Sequence, residues 1–265
     1  MQNDKIIGCS KAINDIFDFI NKVIAIDTDI LITGETGTGK DLVAKEIHNH
    51  SPRKNNGLII VNCVASKEAL FSELFGHRKG AFRDAIEDRE GVFETVNGGT
   101  VILDNIDQMP LDVQLELVNV LNERKVQRMG EYVLRDVNMR VIAISNQDIS
   151  REVEKRNFRE DLYDRLKRFH IHLPPLRERQ EDILSLAEHF LMQLCCKMPK
   201  DIVGFGSGVM DMLQRHTWFG NVRELRNEII QAYMLTPNGE HIEKHHFSNH
   251  VLNQQSSRTN ERSQK

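Results

Sequence analysis

Apolar positions along the chain follow two rhythms. Ile13, Ile16, Phe17, Ile20 and Ile24 recur at helical spacing, which predicts an amphipathic helix from Lys11 to Ala25. Short unbroken apolar runs come next, at Ile30-Leu31-Ile32, Leu58-Ile59-Ile60-Val61, Val101-Ile102-Leu103 and Val141-Ile142-Ala143-Ile144, with a weaker fifth from Phe169 to Leu173. Such runs read as strands buried on both faces. Helical patterns lie between most of them, for example Leu111 to Leu121. Strands alternating with helices predict an α/β fold with a parallel sheet covered on both sides.

Pro174-Pro175 interrupts this alternation, and beyond it the pattern is helical only: Glu181 to Leu194, Val209 to His216, Val222 to Leu235. The predicted division is an α/β unit over 1–176, a small all-α unit over 177–246, and a polar tail or linker over 247–265. No internal repeat is visible.

Composition agrees with a soluble globular chain: 265 residues, 40% hydrophobic and 28% charged. The formal net charge of -4 argues against a surface that attracts nucleic acid in general. The four cysteines, Cys9, Cys63, Cys195 and Cys196, have no metal-binding spacing, and a reducing, cytoplasmic setting is expected. No apolar run is long enough to span a bilayer, and Met1 to Asp4 carries no signal-peptide core, so no membrane partner is expected.

The densest chemistry is Gly34-Glu35-Thr36-Gly37-Thr38-Gly39-Lys40, which fits G-x-x-x-x-G-K between a predicted strand and a predicted helix over Asp41 to Asn49. In that context the backbone amides and the helix N-terminus face phosphate oxygens, and Lys40 reaches the outer phosphates. The expected ligand is ATP or ADP with Mg2+. The next residue is Asp41 where a hydroxyl ligand to the metal is usual. Asp41 either holds the metal through water or caps the helix, the cap being the simpler role.

A phosphate loop needs a second strand that ends in a carboxylate for the metal. Val101-Ile102-Leu103-Asp104 supplies it, so Asp104 is the metal candidate. The following residue is Asn105. An amide can orient water but cannot take its proton, and general-base catalysis is worth about 10²–10⁴-fold in rate. Binding with weak or absent hydrolysis is therefore expected, unless Asp107 substitutes.

Several strings in order resemble one family, the central AAA+ domain of bacterial enhancer-binding proteins, the activators of sigma-54 polymerase. They are Gly34 to Asp41; Val61-Asn62-Cys63; Glu73-Leu74-Phe75-Gly76-His77 with Lys79-Gly80-Ala81-Phe82; Phe158 to Tyr163 with Arg165-Leu166; Leu173 to Arg179 with Glu181-Asp182-Ile183; and Gly220 to Leu225. The resemblance runs from about Ile6 to Leu235. It implies a three-layer P-loop AAA+ domain with a helical lid. Ile7 and Gly8 would flank the adenine, Asn62 would be the switch asparagine, and Asn146 would sense the terminal phosphate. Arg159 and Arg165 would reach a neighbouring subunit's nucleotide, and Arg223 would contact nucleotide from the lid. The implied partners are RNA polymerase holoenzyme, further copies in a ring or dimer, and DNA through a domain outside this chain.

Two departures stand out. The contact loop reads Gly80-Ala81-Phe82-Arg83-Asp84-Ala85 where sigma-54 activators carry Gly-Ala-Phe-Thr-Gly-Ala, and Asp84 accepts positive φ less easily than glycine. Asn105 stands where the family has a catalytic glutamate. The favoured reading is a regulatory nucleotide-binding module. Some relatives with such losses act on the housekeeping polymerase. The alternatives are an active ATPase ring that remodels polymerase, and a regulator that answers to a cyclic dinucleotide. His48-Asn49-His50 reads as a helix face, and His241, His245 and His246 as a solvated helix rather than a metal site.

Overall fold

The computed structural model describes residues 6–198 and 200–252. They fall into two compact units. One comprises Ile16–Gly34 and Lys40–Leu173, the other Met1–Asp15, Glu35–Gly39 and Pro174–Lys265.

The chain opens with α1 (Lys11–Ile24) and continues through β1 (Ile30–Thr33), α2 (Lys40–His50), β2 (Leu58–Asn62) and α3 (Lys67–Leu74). A short antiparallel pair comes next, β3 (Gly76–His77) and β4 (Arg89–Glu90), then α4 (Val92–Thr95), β5 (Thr100–Asp104) and α5 (Leu111–Glu123). A second antiparallel pair, β6 (Lys125–Gln127) and β7 (Leu134–Asp136), precedes β8 (Arg140–Ser145), α6 (Ile149–Glu154), α7 (Glu160–Leu166) and β9 (His170–His172). Five strands form one all-parallel sheet in the order β2-β5-β8-β1-β9.

The apolar runs are buried because strands inside a parallel sheet have no solvated face. β1 and β8 are buried at every position. β2 stands at the sheet edge, and there Ile60 is 48% exposed. Leu31, Val61, Phe75, Phe93, Leu103 and Val141 belong to one continuous core. Ser66 caps α3 by accepting the amide N–H of Ala69.

In the other unit, α8 (Glu181–Lys197), α9 (Val209–Arg215) and α10 (Asn221–Leu235) surround the fully buried Trp218, with a small parallel pair of β10 (Gly204–Phe205) and β11 (His241–Ile242). The Trp218 indole N–H donates to the carbonyl of Leu213 at 2.8 Å, so the buried polar atom is satisfied. The expected polar tail starts later than Phe247. Phe247 and Val251 are 3% and 2% exposed and pack into this helical core, because each puts an apolar side chain over it. The rest of that expected tail, 253–265, lies outside the described residues. No helix among the described residues is long and apolar enough to cross a membrane.

Gly98 and Gly99 lead the chain into β5. Gly98 takes φ 88°, and a Cβ on Gly99 would stand 2.1 Å from the carbonyl oxygen of Gly57. That obstacle is backbone already hydrogen-bonded to Thr100, so it cannot swing aside. Gly99→Ala is expected to destabilise the chain by about 1–3 kcal/mol, read as a lower urea midpoint at unchanged slope. An unchanged midpoint would show that the β2–β5 approach is looser than described.

Candidate functional site

The C-terminal ends of parallel strands are where ligands bind in open α/β sheets, and there this sheet gathers its polar residues. β1 runs out at Thr33 and α2 begins at Lys40. Lys40 is 5% exposed; its Nζ donates to the carbonyl of Gly34 and to Oδ1 of Asn146, both at 2.7 Å. Asn146 Nδ2 donates to Oδ1 of Asn105, and Asn105 Nδ2 donates to Oδ1 of Asn62 at 3.0 Å. Asn62 Oδ1 also accepts the N–H of Val64. A chain of side-chain amides thus runs from the loop lysine along the ends of β8, β5 and β2. The amide orientations are those assigned by this hydrogen-bond pattern. Lys40, Asn62, Asn105 and Asn146, singled out separately in the sequence, are brought together here.

Asn105 sits at φ 56°, ψ 46°, the left-handed region. Asparagine is among the few side chains that occupy it readily, because its short amide bonds locally. Its neighbour Asp107 is 8% exposed and accepts from Ser145 Oγ (2.9 Å), Gln108 Nε2 (2.7 Å) and the N–H of Asn146 (3.3 Å). Those three donors hold Asp107 as a brace for the end of β8, which is poor geometry for a base that must reach an attacking water.

Asp104, at the end of β5, has its carboxyl pushed above the ordinary carboxylate range, first by burial and next by the charge of Asp41. Two carboxylates whose charges oppose each other beside a phosphate loop suit a hard divalent cation, which oxygen donors favour. Asp41 itself lies in the first turn of α2, where an acid complements the helix dipole.

The loop residues Glu35–Gly39 belong to the helical unit and are clamped by it. Arg177 makes a two-pronged pair with the Glu35 carboxylate, one arm at 2.7 Å. Asn221 Nδ2 donates to Glu35 Oε2 (3.1 Å) and to the carbonyl of Thr36 (3.0 Å). Arg179 donates to the carbonyl of Thr38 (2.8 Å), whose hydroxyl in turn donates to the carbonyl of Glu35. Gly37 takes φ 82°, and a Cβ there would meet the Gly220 carbonyl oxygen at 2.4 Å. The Arg223 N–H donates to the Gly37 carbonyl (3.3 Å), and its side chain is exposed without a hydrogen bond or ion pair among the described residues. In the same unit Ile7 packs against the helical core and Gly8 against the carboxyl of Asp182. The parts played by Arg177, Arg179, Asp182 and Asn221 were not read from the sequence. Their partners lie up to 186 residues away, and only their recurrence in motif strings hinted at a task.

The two expected trans arginines differ. Arg159 pairs with Asp161 at the surface (2.7 Å). Arg165 turns inward: it donates to Oδ1 of Asn122 (2.7 Å) and to the carbonyl of Leu121, and lies 3.6 Å from buried Asp29. Reaching another subunit would require Arg165 to leave these partners. In the contact loop, the N–H of Gly80 donates to the Ala85 carbonyl (2.8 Å) and that of Ala85 to the Phe82 carbonyl (3.0 Å). The expected strain at Asp84 is absent, because the tight turn places the positive φ on Gly80 and leaves Asp84 at negative φ.

His216, Glu224 and His250 also converge, with possible ligand atoms within 4.8 Å of one another. The N–H of Trp218 donates to His216 Nδ1 (3.0 Å), so the neutral ring carries its proton on Nε2, the wrong form for a metal there. Glu224 accepts from Gly220 and pairs with His250, which ties the C-terminal segment to α10.

Comparison with known proteins places these features in context. The Sigma-54 interaction domain family model matches residues 6–172, and the AAA+ ATPase lid domain model matches 177–264. The DNA-binding transcriptional activator HyfR of Escherichia coli (strain K12) is 45% identical over 232 residues, covering 87% of this chain and 35% of HyfR. The DNA-binding transcriptional regulator NtrC of Salmonella typhimurium is 45% identical over 222 residues, covering 83% of this chain and 47% of NtrC. The chain thus spans between a third and a half of these relatives. Among solved structures, NtrX from Brucella abortus in complex with ADP superposes with a TM-score of 0.84 at 31% identity, covering 94% of this chain and 56% of NtrX. NtrX has also been solved in complex with ATP.

A raised carboxyl at Asp104 has a definite sign. Between the ordinary value of 3.8 and its raised value, the folded chain binds more protons than the unfolded one, so stability falls as pH rises through that window. At neutral pH the charge therefore weighs on the ligand-free fold. Asp104→Asn is expected to raise the unfolding temperature of the ligand-free chain at neutral pH and to remove any stabilisation by added Mg2+. A lower unfolding temperature would show that the carboxylate is a structural acceptor instead.

Proposed function

The chain belongs to the Sigma-54 interaction domain family, followed by an AAA+ ATPase lid, and on that premise we propose that it is the nucleotide-binding module of a bacterial transcription regulator. It binds ATP or ADP with Mg2+ in the phosphate loop, self-associates into a ring or dimer, and acts on RNA polymerase holoenzyme in the cytoplasm with little hydrolysis. DNA is reached through a domain outside this chain. We keep the division near Leu176 between the α/β unit and the lid.

The observation that carries the reading is the amide chain Lys40–Asn146–Asn105–Asn62. Asn146 would sense a terminal phosphate there, and Asn105 offers no carboxylate to take a proton from water. NtrX, which shares the fold at 31% identity, was solved with ADP and with ATP, and this supports the nucleotide assignment. Gly34 to Lys40 would wrap the phosphates. Asp104, with Asp41 nearby, would hold Mg2+, which when bound neutralises charge on the outer phosphates. Ile7 and Gly8 would flank the base, and the exposed Arg223 side chain would contact the phosphates from the lid. Arg159 and Arg165 would serve a neighbouring copy's nucleotide, Arg159 with the smaller rearrangement. The exposed Arg83-Asp84 tip puts two opposite charges where the family's sigma-54 activators carry a small neutral tip, so polymerase contact through it would be electrostatic and salt-sensitive.

Steady-state ATP turnover of the unmodified chain and of Asn105→Glu tests this. Restoring the carboxylate is expected to raise turnover about 10²-fold or more from a rate near background. Ready turnover by the unmodified chain would return the energy-driven polymerase remodeller as the better reading.

A further inference from the structure

Asp182, in the first turn of α8, is fully buried. Its Oδ1 accepts the N–H groups of Cys9 (2.6 Å) and Ser10 (2.7 Å), and its Oδ2 accepts the Ser10 hydroxyl (2.8 Å). Gly8 packs on the same carboxyl so closely that a Cβ would lie 3.1 Å from it. One turn earlier, Arg179 is 4% exposed; its Nη2 donates to the Thr38 carbonyl of the phosphate loop, and its Nη1 lies 4.0 Å from Asp182 Oδ2. A single buried pair therefore has one arm on the phosphate loop and the other on the turn that carries Ile7 and Gly8. All of these residues lie in the helical unit.

Burying two charges is expensive, and well-packed apolar residues would usually serve stability as well or better. What the pair supplies that apolar residues cannot is directed hydrogen bonding to backbone at two separate places. The Asp182 arm fixes three donors of the turn; the Arg179 arm fixes a carbonyl beside the phosphates.

We infer that Arg179 and Asp182 are positioning residues of the nucleotide site: the pair holds the phosphate loop and the Ile7–Ser10 turn as one piece, and so couples recognition of the base to recognition of the phosphates. Neither side chain needs to touch the ligand. The inference rests on the nucleotide reading above and goes beyond it, because it assigns the preference for a particular base to a carboxylate on the lid side.

The test compares the unmodified chain with the double variant Arg179→Met/Asp182→Leu, which removes both buried charges and leaves neither unpaired. Affinity is measured for ATP, GTP and inorganic tripolyphosphate, and amide hydrogen exchange is followed at Cys9 and Ser10. In the folded double variant, exchange at Cys9 and Ser10 is expected to quicken by about tenfold or more, and ATP affinity to fall by about tenfold. Tripolyphosphate affinity is expected to stay within about threefold, so the preference for ATP over GTP collapses. Asp182→Asn, which keeps an acceptor oxygen for both amides, is expected to recover most of the loss. Should the double variant not fold, Arg179→Met alone is read by the ATP-to-GTP preference, which is expected to narrow; exchange at Cys9 and Ser10 is not its readout, since Asp182 keeps its three donors there. Unchanged exchange, or an unchanged ATP-to-GTP preference, overturns the coupling. If the unmodified chain binds neither ATP nor tripolyphosphate, the nucleotide reading itself fails. If it binds tripolyphosphate as tightly as ATP, only the base-end role falls.

Discussion

A lysine ammonium at the foot of α2, 5% exposed, must find acceptors at the ends of the sheet strands. It finds the Gly34 carbonyl and the Asn146 amide, and the second of these sets the direction of the neighbouring amides. Once Asn146 Oδ1 faces Lys40, its NH2 group must donate onward, and Asn105 accepts. Asn105 then donates to Asn62. Asn146 and Asn105 each use the acceptor on one side and the donor on the other, and Asn62 ends the chain as an acceptor, so the chain has a direction and every link depends on the last. Such a network is costly if half-satisfied and rigid when complete. Its amides are neutral and include no carboxylate. The left-handed backbone at Asn105 fits the same logic, since asparagine occupies that conformation more readily than a longer side chain.

The phosphate loop joins this network to a second set of constraints. Gly34 and Lys40 stay with the sheet, while Glu35 to Gly39 are gripped by Arg177, Arg179 and Asn221. Gly37 permits the grip because its missing side chain leaves room for the Gly220 carbonyl. The loop's shape is thus set by residues that lie some 140 to 186 positions further along the chain. A change in the lid need not touch a ligand to alter binding.

Much of this was readable from the sequence, for physical reasons that also explain the gaps. The strands β1, β5 and β8 announced themselves because the interior of a parallel sheet buries both faces and demands unbroken apolar runs; β2 carries such a run at the sheet edge, and β9, His170-Ile171-His172 with only Ile171 buried, gave the weakest signal. The antiparallel pairs β3–β4 and β6–β7 did not: Arg89-Glu90 and Leu134-Arg135-Asp136 are largely exposed and carry no apolar rhythm. Phe247 and Val251 were lost in polar surroundings, although each covers the helical core. The contact loop looked strained at Asp84 because the parent motif has glycine there, yet the turn needs positive φ only at Gly80. Lys40 and Asp104 stood out because phosphate and metal chemistry prescribes them at strand ends, and Asn105 and Asn146 because the family resemblance implied a role at their positions. Asp182 and Arg179 did not, because a buried acceptor for distant backbone amides has no local signature.

If this chain holds a nucleotide, the loop closed by Lys40 is where it does so. Titration calorimetry of ATP with Mg2+ into the unmodified chain and into Lys40→Ala tests it most directly. Saturable binding to the unmodified chain is expected, with a loss of about tenfold or more in affinity when the ammonium is removed. Equal affinity for both would contradict it, and no heat of binding to the unmodified chain would contradict nucleotide binding itself.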